Sequence, residues 1–313
     1  MELRWLVEHP FVYNVVEKLI NMIKHFVLKA SLFIIIILFV GCSQPINKYK
    51  KVIDEISLPY TLEEIEKLSS ECADKLDDFV LEASGISEIN EKLKGYDDLN
   101  RNIERLKELV SSTISSCNEI NINDINVMTE IHPILLRGLL KYEDIVFYLE
   151  EVARINKDML EMLADVHELS NQVLEINYSG SLTSIAYKTA LSEFVEANYE
   201  HTKLFDSEYA KEILGTYPLD EQLLSKSLKE ARQMVEALKE VECFNHTDAT
   251  VHSLLIETHQ RMLDMVDYAL NNKEIVEWSN QYKKFSDYFD VQKQTIDEDI
   301  FEWEKAIEML ELT

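Results

Sequence analysis

Apolar residues recur along most of this chain at intervals of three and four, the spacing that gathers them on one face of an α-helix. Ile145, Leu149, Val152, Met159, Leu163 and Val166 form one such seam within a long stretch from Ile134 to about Ile176. Leu224, Leu228, Ala231, Val235 and Leu238 form a second, and Val251, Leu255, Thr258, Met262, Met265 and Ala269 a third. Thr61 and Glu64 make a capping box, so a helix is expected from there to about Ala83, stopped by Gly85-Ile86-Ser87. Further helices are expected from Ser87 to about Glu119 with a bend at Gly95, over roughly 182–204, from Ser207 to Leu214, and from Ile275 to about Leu310. Breaks are expected at Asn121–Asp124, His132-Pro133, Tyr178–Ser181, Gly215–Pro218 and Asn245–Thr247.

Long helices with short connections pack as antiparallel neighbours, and the seams have coiled-coil-like spacing. The chain holds only 6 Gly and 5 Pro, too few for the turns of a β-rich domain. The expected fold is all-α: an elongated antiparallel helical bundle with coiled-coil-like packing over 61–313. A subdivision near 177–181 would make it two bundles, and that choice stays open.

One stretch departs from the amphipathic pattern. Leu32 to Val40 is apolar throughout, Gly41-Cys42 follows, and the polar Ser43-Gln44 comes next. Met22–Lys29 precedes it with Lys24 and Lys29, giving a basic segment, an apolar segment and a small residue in the order of a secretory signal. The run is far shorter than the ~20 residues of a spanning helix, which argues against a single transmembrane anchor. Phe39-Val40-Gly41-Cys42 resembles the lipobox of bacterial lipoproteins. The resemblance implies cleavage between Gly41 and Cys42, acylation of Cys42 and attachment to the extracytoplasmic face of a cell membrane. Phe39 stands where that pattern usually has Leu, Val or Ile. Two acyl chains give stable anchoring where one is marginal.

The expected organisation is an over-extended N-terminus over 1–21, with Met22 the true start, and a lipoprotein signal peptide over 22–41. A lipidated Cys and membrane-proximal tether follow over 42–60, then the bundle. The tether carries Lys48, Lys50 and Lys51. Beside anionic lipid each lysine is worth about 1 kcal/mol; a solvated helix face explains the cluster equally well.

With 31 basic against 58 acidic side chains the net charge is −27, which repels phosphate backbones and excludes nucleic acid as a partner. Richness in Ile, Asn and Lys fits an AT-rich genome and a Gram-positive host. Beyond Cys42 the chain has Cys72, Cys117 and Cys243, an odd number that leaves at least one thiol unpaired within the chain. Cys72 and Cys117 would lie level if two antiparallel helices turned near Gly95.

Signatures of chemistry are sparse. G-x-S-x-G, P-loop, G-x-G-x-x-G and H-E-x-x-H motifs are missing, and His167-Glu168-Leu169-Ser170-Asn171 ends in Asn where a zinc helix needs its second His. No Glu-x-x-His pair of a di-iron bundle occurs. Cys243-Phe244-Asn245-His246 is half a zinc site without its other half. Asp248, His252 and His259 share a helical stripe and are the candidate ligand-binding residues. Seven residues separate the two histidines, about 10.5 Å along a helix, which prevents both from binding one zinc at about 2.0–2.1 Å. Asp297-Glu298-Asp299 is an acidic patch, and Trp278, Tyr282, Phe285, Tyr288 and Phe289 form an aromatic band expected in the core.

The expectation is therefore a non-catalytic, membrane-anchored extracytoplasmic lipoprotein without metal or cofactor, acting as a binding or spacer module of the cell envelope. Its partners would be membrane lipid, through Cys42, and an envelope protein or cell-wall component. The alternative is a small-ligand or metal-binding bundle using His252 and His259.

Overall fold

The computed structural model describes residues 43–78, 86–120, 128–178 and 183–311. Ten α-helices run through them: α1 (Ser43–Glu55), α2 (Leu58–Asp78), α3 (Ile86–Asn118), α4 (Met128–Tyr178), α5 (Ile185–Ala197), α6 (Ser207–Leu214), α7 (Glu221–Leu238), α8 (His246–Asn271), α9 (Lys273–Tyr282) and α10 (Phe285–Glu311). A 3-10 helix, Tyr199–Phe205, joins α5 to α6, and the described residues contain no strand. The protein is all-α.

Contacts divide the chain into two compact units. Of the described residues, unit 1 takes 43–59, 115–120, 128–138 and 297–311, and unit 2 takes 60–78, 86–114, 139–178 and 183–296. Within unit 2, polar pairs give the sense of packing. Asp97 and Lys107 of α3 meet Lys157 and Glu150 of α4, so the two helices run in opposite directions. Glu66 and Asp77 of α2 meet Lys293 and the Phe285 N–H of α10, again antiparallel. Lys141 of α4 donates to the Thr295 carbonyl while Tyr148 packs on Tyr288, which sets α4 against α10 in the same manner. The ion pairs among these are exposed and worth about 0–1 kcal/mol each, so they report register more than they supply stability.

Stability comes from the apolar faces. Ile65, Leu68 and Leu76 of α2, Leu99, Ile103 and Leu106 of α3, and Ile145 and Leu149 of α4 are buried in unit 2. A second cluster gathers Leu224, Leu228, Ala231, Met234, Val235 and Leu238 of α7 with Leu263 and Val266 of α8 and Leu204 of the 3-10 helix. In unit 1, Ile46, Tyr49 and Ile53 of α1 are buried, as are Leu135, Trp303 and Ile307. Gly138 lets α4 approach α10 there, since a Cβ would lie 3.3 Å from the Ile300 Cδ1.

Several helix limits differ from the sequence pattern for local reasons. α2 starts at Leu58, ahead of the Thr61 capping box, because Pro59 fits a first turn whose N–H groups have no intrahelical acceptor. Pro133 lies inside α4, in the second turn, where it forfeits one intrahelical bond rather than ending the helix. Gly95 sits within α3 without interrupting it.

The expected final helix is two helices, broken at Lys283. That residue has φ 57° and ψ −42°, and the Lys284 N–H donates to the Tyr282 carbonyl at 2.6 Å, closing the rare and strained form of γ-turn. Asp77 then caps α10, accepting from the Phe285 and Ser286 N–H groups at 2.5 and 3.1 Å. A lysine pays for this positive φ and a glycine does not. Lys283→Gly is therefore expected to raise stability by about 1 kcal/mol in denaturant titration; a loss would show that the lysine side chain, rather than the turn, holds the junction.

Candidate functional site

Gly41 and Cys42, the expected cleavage and acylation positions, lie outside the described residues, as do the signal peptide and the N-terminal extension. The segment expected as a tether is ordered into α1 from Ser43 onward. Its Ile46, Tyr49 and Ile53 face inward at spacings of three and four.

Tyr49 is held by side chains from distant parts of unit 1. Trp303 donates its indole N–H to the Tyr49 hydroxyl at 3.1 Å, and that hydroxyl lies 3.0 Å from His132 Nδ1. His132 Nε2 lies 3.0 Å from the Cys117 carbonyl in the last turn of α3. One assignment satisfies every group: neutral His132 protonated at Nε2 donates to Cys117, while its Nδ1 accepts from Tyr49. Burial keeps the His132 imidazole below its usual pKa, the Cys117 carbonyl only partly offsetting it. The phenol pKa of Tyr49 is raised, chiefly by burial. No sequence spacing pointed to this network, because its members are separated by up to 254 positions.

The stripe of Asp248, His252 and His259 is on α8, in unit 2, and each member has its own surroundings. Asp248 is buried and accepts from the Ser184 N–H and hydroxyl, both at 2.7 Å, and from the Phe244 N–H at 3.1 Å. Burial pushes its carboxyl pKa up, but these hydrogen bonds outweigh that and hold it below the ordinary carboxylate range. Asn245 caps α8 by accepting from the Asp248 N–H at 2.8 Å. Asp248 thus binds the start of α5 to the start of α8.

His252 repeats the arrangement of His132. Its Nδ1 lies 3.2 Å from the Tyr187 hydroxyl, with the rings edge to face at 5.8 Å and 87°, against 5.8 Å and 86° for Tyr49 and His132. Its Nε2 is buried without a well-formed partner, the Lys239 backbone at the end of α7 supplying only a weak one. Burial lowers the His252 pKa and raises that of Tyr187 to about 12. His259 bonds the Leu255 carbonyl through Nδ1 at 2.6 Å, packs edge-on to Phe205, and has its pKa lowered by burial. In both units, then, a tyrosine and a histidine near a helix start form an edge-on pair beside the end of the preceding helix in chain order.

Cys72, Cys117 and Cys243 are free thiols. Burial raises the pKa values of Cys72 and Cys117 to about 12 and about 11, and raises that of Cys243 as well, so none is activated as a nucleophile. Among the described residues no group of three or more His, Cys, Asp and Glu side chains is placed to hold a metal ion. Of the acidic patch, Asp299 is buried and accepts from Arg137 at 2.6 Å, with Glu302 on the same guanidinium at 3.3 Å. In the aromatic band Phe285, Tyr288 and Phe289 are core residues, while half-buried Trp278 stacks on Tyr148 at 4.4 Å and 8°.

Fold and side-chain arrangement together define an all-α, acidic helical-bundle protein. No protein-family model, curated protein or solved structure matches the chain. Among the described residues no helix is long and apolar enough to cross a membrane.

Proposed function

We propose that this protein is a lipoprotein, held through Cys42 on the extracytoplasmic face of a bacterial cell membrane, whose helical bundle is a non-catalytic binding or spacing module of the envelope. The observation that carries this reading is the apolar run Leu32–Val40 closing on Gly41-Cys42, behind a segment bearing Lys24 and Lys29. The order of α1 supports it in a further way. A chain acylated at Cys42 enters α1 at the next residue, and buried Ile46, Tyr49 and Ile53 fasten α1 into unit 1. The anchor is then coupled to a folded unit without a flexible spacer, which suits a protein that presents a surface at a fixed height above the lipid.

Cell fractionation with in-cell crosslinking tests this. Wild-type protein is expected in the membrane fraction, crosslinked to a specific envelope component, and Cys42→Ala is expected to lose at least 90 % of its membrane retention, on the order of the difference between two acyl chains and none. Equal retention of the variant would refute the anchor. Retention lost with no crosslink in either form would refute the interaction role while leaving the anchor standing.

A further inference from the structure

We infer that unit 2 contains a binding site for a small uncharged apolar molecule, in the cleft that α9 forms with α4 and α8. The cleft has a volume of about 240 Å³ and is walled by Val152 and Ile155 of α4, Ala269 of α8, and Ile275 and Val276 of α9, with the end of α6 closing one side. No lining side chain is charged, in a chain where 28 % of residues are. Charged ligands are excluded on that ground, because a charge moved into an apolar cleft without a partner loses its hydration uncompensated.

The wall formed by α9 is unusual. None of its ten residues is fully buried, although Ile275 and Val276 point at apolar neighbours. Polar ties hold the helix in place instead. The Asn280 amide donates to the Leu214 and Thr216 carbonyls at 2.7 and 3.0 Å, Glu277 accepts from the Leu219 N–H at 2.9 Å, and Lys273 pairs with Glu221 at 2.7 Å. The helix is thus suspended over apolar side chains that it does not fully cover, between the Asn272 junction and the γ-turn at Lys283. The cleft is partly open to solvent, so its apolar floor can be reached by a small molecule from outside.

The occupant's chemistry follows from the walls. A cavity of ~150 Å³ lined by aliphatic residues admits benzene, so this cleft accommodates one ring or a short branched chain, about 8–12 non-hydrogen atoms. Asn156 and Ser279 place an amide and a hydroxyl at the wall, which fits a single polar group on an otherwise apolar molecule. Neither His252 nor His259 lines the cleft. The site is independent of the Cys42 anchor, and its failure would leave that reading untouched.

Indole has this size and polarity and is the probe. The purified full chain, with ¹³C-labelled Ile and Val methyl groups, is titrated with indole and followed by NMR. Saturable shifts are expected at Val152, Ile155, Ile275 and Val276, with methyls of Ile65 and Ile103 unmoved, and a Kd on the order of 1 mM or tighter. Ala269→Leu fills the cleft from α8 and Ser279→Leu from α9; whichever retains the wild-type methyl spectrum elsewhere is expected to weaken indole at least tenfold. Absence of a saturable shift up to the solubility of indole would overturn the site. So would shifts spread over both sets of methyls, or unchanged affinity in a folded, filled variant.

Discussion

His132→Ala is expected to destabilise unit 1 by about 2–4 kcal/mol at pH 7.5, combining a cavity in a closed core with an orphaned buried hydroxyl. The buried Tyr49 hydroxyl loses its acceptor, though Trp303 still donates to it, and the Cys117 carbonyl keeps the bond from the Ile120 N–H at 3.1 Å. Hydrogen exchange over α1 reads the loss locally, because Tyr49 is the residue through which α1 meets this network. The effect is expected to depend on pH. Burial lowers the folded-state pKa of His132 below its ordinary 6.5, so between those two values the unfolded chain binds the extra proton. The stability contributed by neutral His132 is whole above about pH 6.5 and is lost as pH falls through that window. Protonation would put an N–H at Nδ1 facing the Tyr49 oxygen, which already accepts from Trp303. The difference between wild type and His132→Ala should therefore narrow on acidification; an equal difference at pH 7.5 and pH 5 would show that the histidine does not titrate against this network. His252 and His259 are shifted in the same direction, so wild-type unit 2 is also expected to lose stability with acid.

Leu224→Ala is the counterpart in unit 2. Leu224 is fully buried in the cluster that α7 shares with α8 and the 3-10 helix, and truncation to Ala in such a site costs about 2–5 kcal/mol. Thermal or denaturant unfolding measures it. A cost below about 1 kcal/mol would mean that Leu204 and Leu263 relax into the space and that the cluster is loosely packed.

The same seam shows where the sequence could be read and where it could not. All five residues assigned to the α7 seam, Leu224, Leu228, Ala231, Val235 and Leu238, are buried, because α7 meets its neighbours along one stripe. α8 was harder. Val251 and Ala269 are buried as expected, but Leu263 and Val266 are buried in place of Met262 and Met265. Arg232 of α7 reaches Asp267 while Tyr268 reaches Asp158 of α4, so α8 is approached from two sides and a single stripe does not describe it. The inward spacing of Ile46, Tyr49 and Ile53 is present in the sequence, with Lys48, Lys50 and Lys51 between them at less buried positions. The break at Lys283 carries no Gly, Pro or Asn; its cap, Asp77, comes from 208 positions away, beyond the reach of any local signal.

The candidate polar stripe was legible as a juxtaposition but not as a role. Spacing places Asp248, His252 and His259 on one side of α8, and only the packed structure shows that Ser184, Tyr187 and Phe205 take them one by one. Conversely, the cleft beneath α9 has no motif, since apolar residues that line a space look in sequence like apolar residues that fill one.

Covalent anchoring through Cys42 is read by intact-mass and peptide mass spectrometry of the protein isolated from its host cells. The expected product is a chain that begins at Cys42 and carries a diacylglyceryl group on its sulfur. A mature chain that retains Gly41 upstream of an unmodified Cys42 would contradict it.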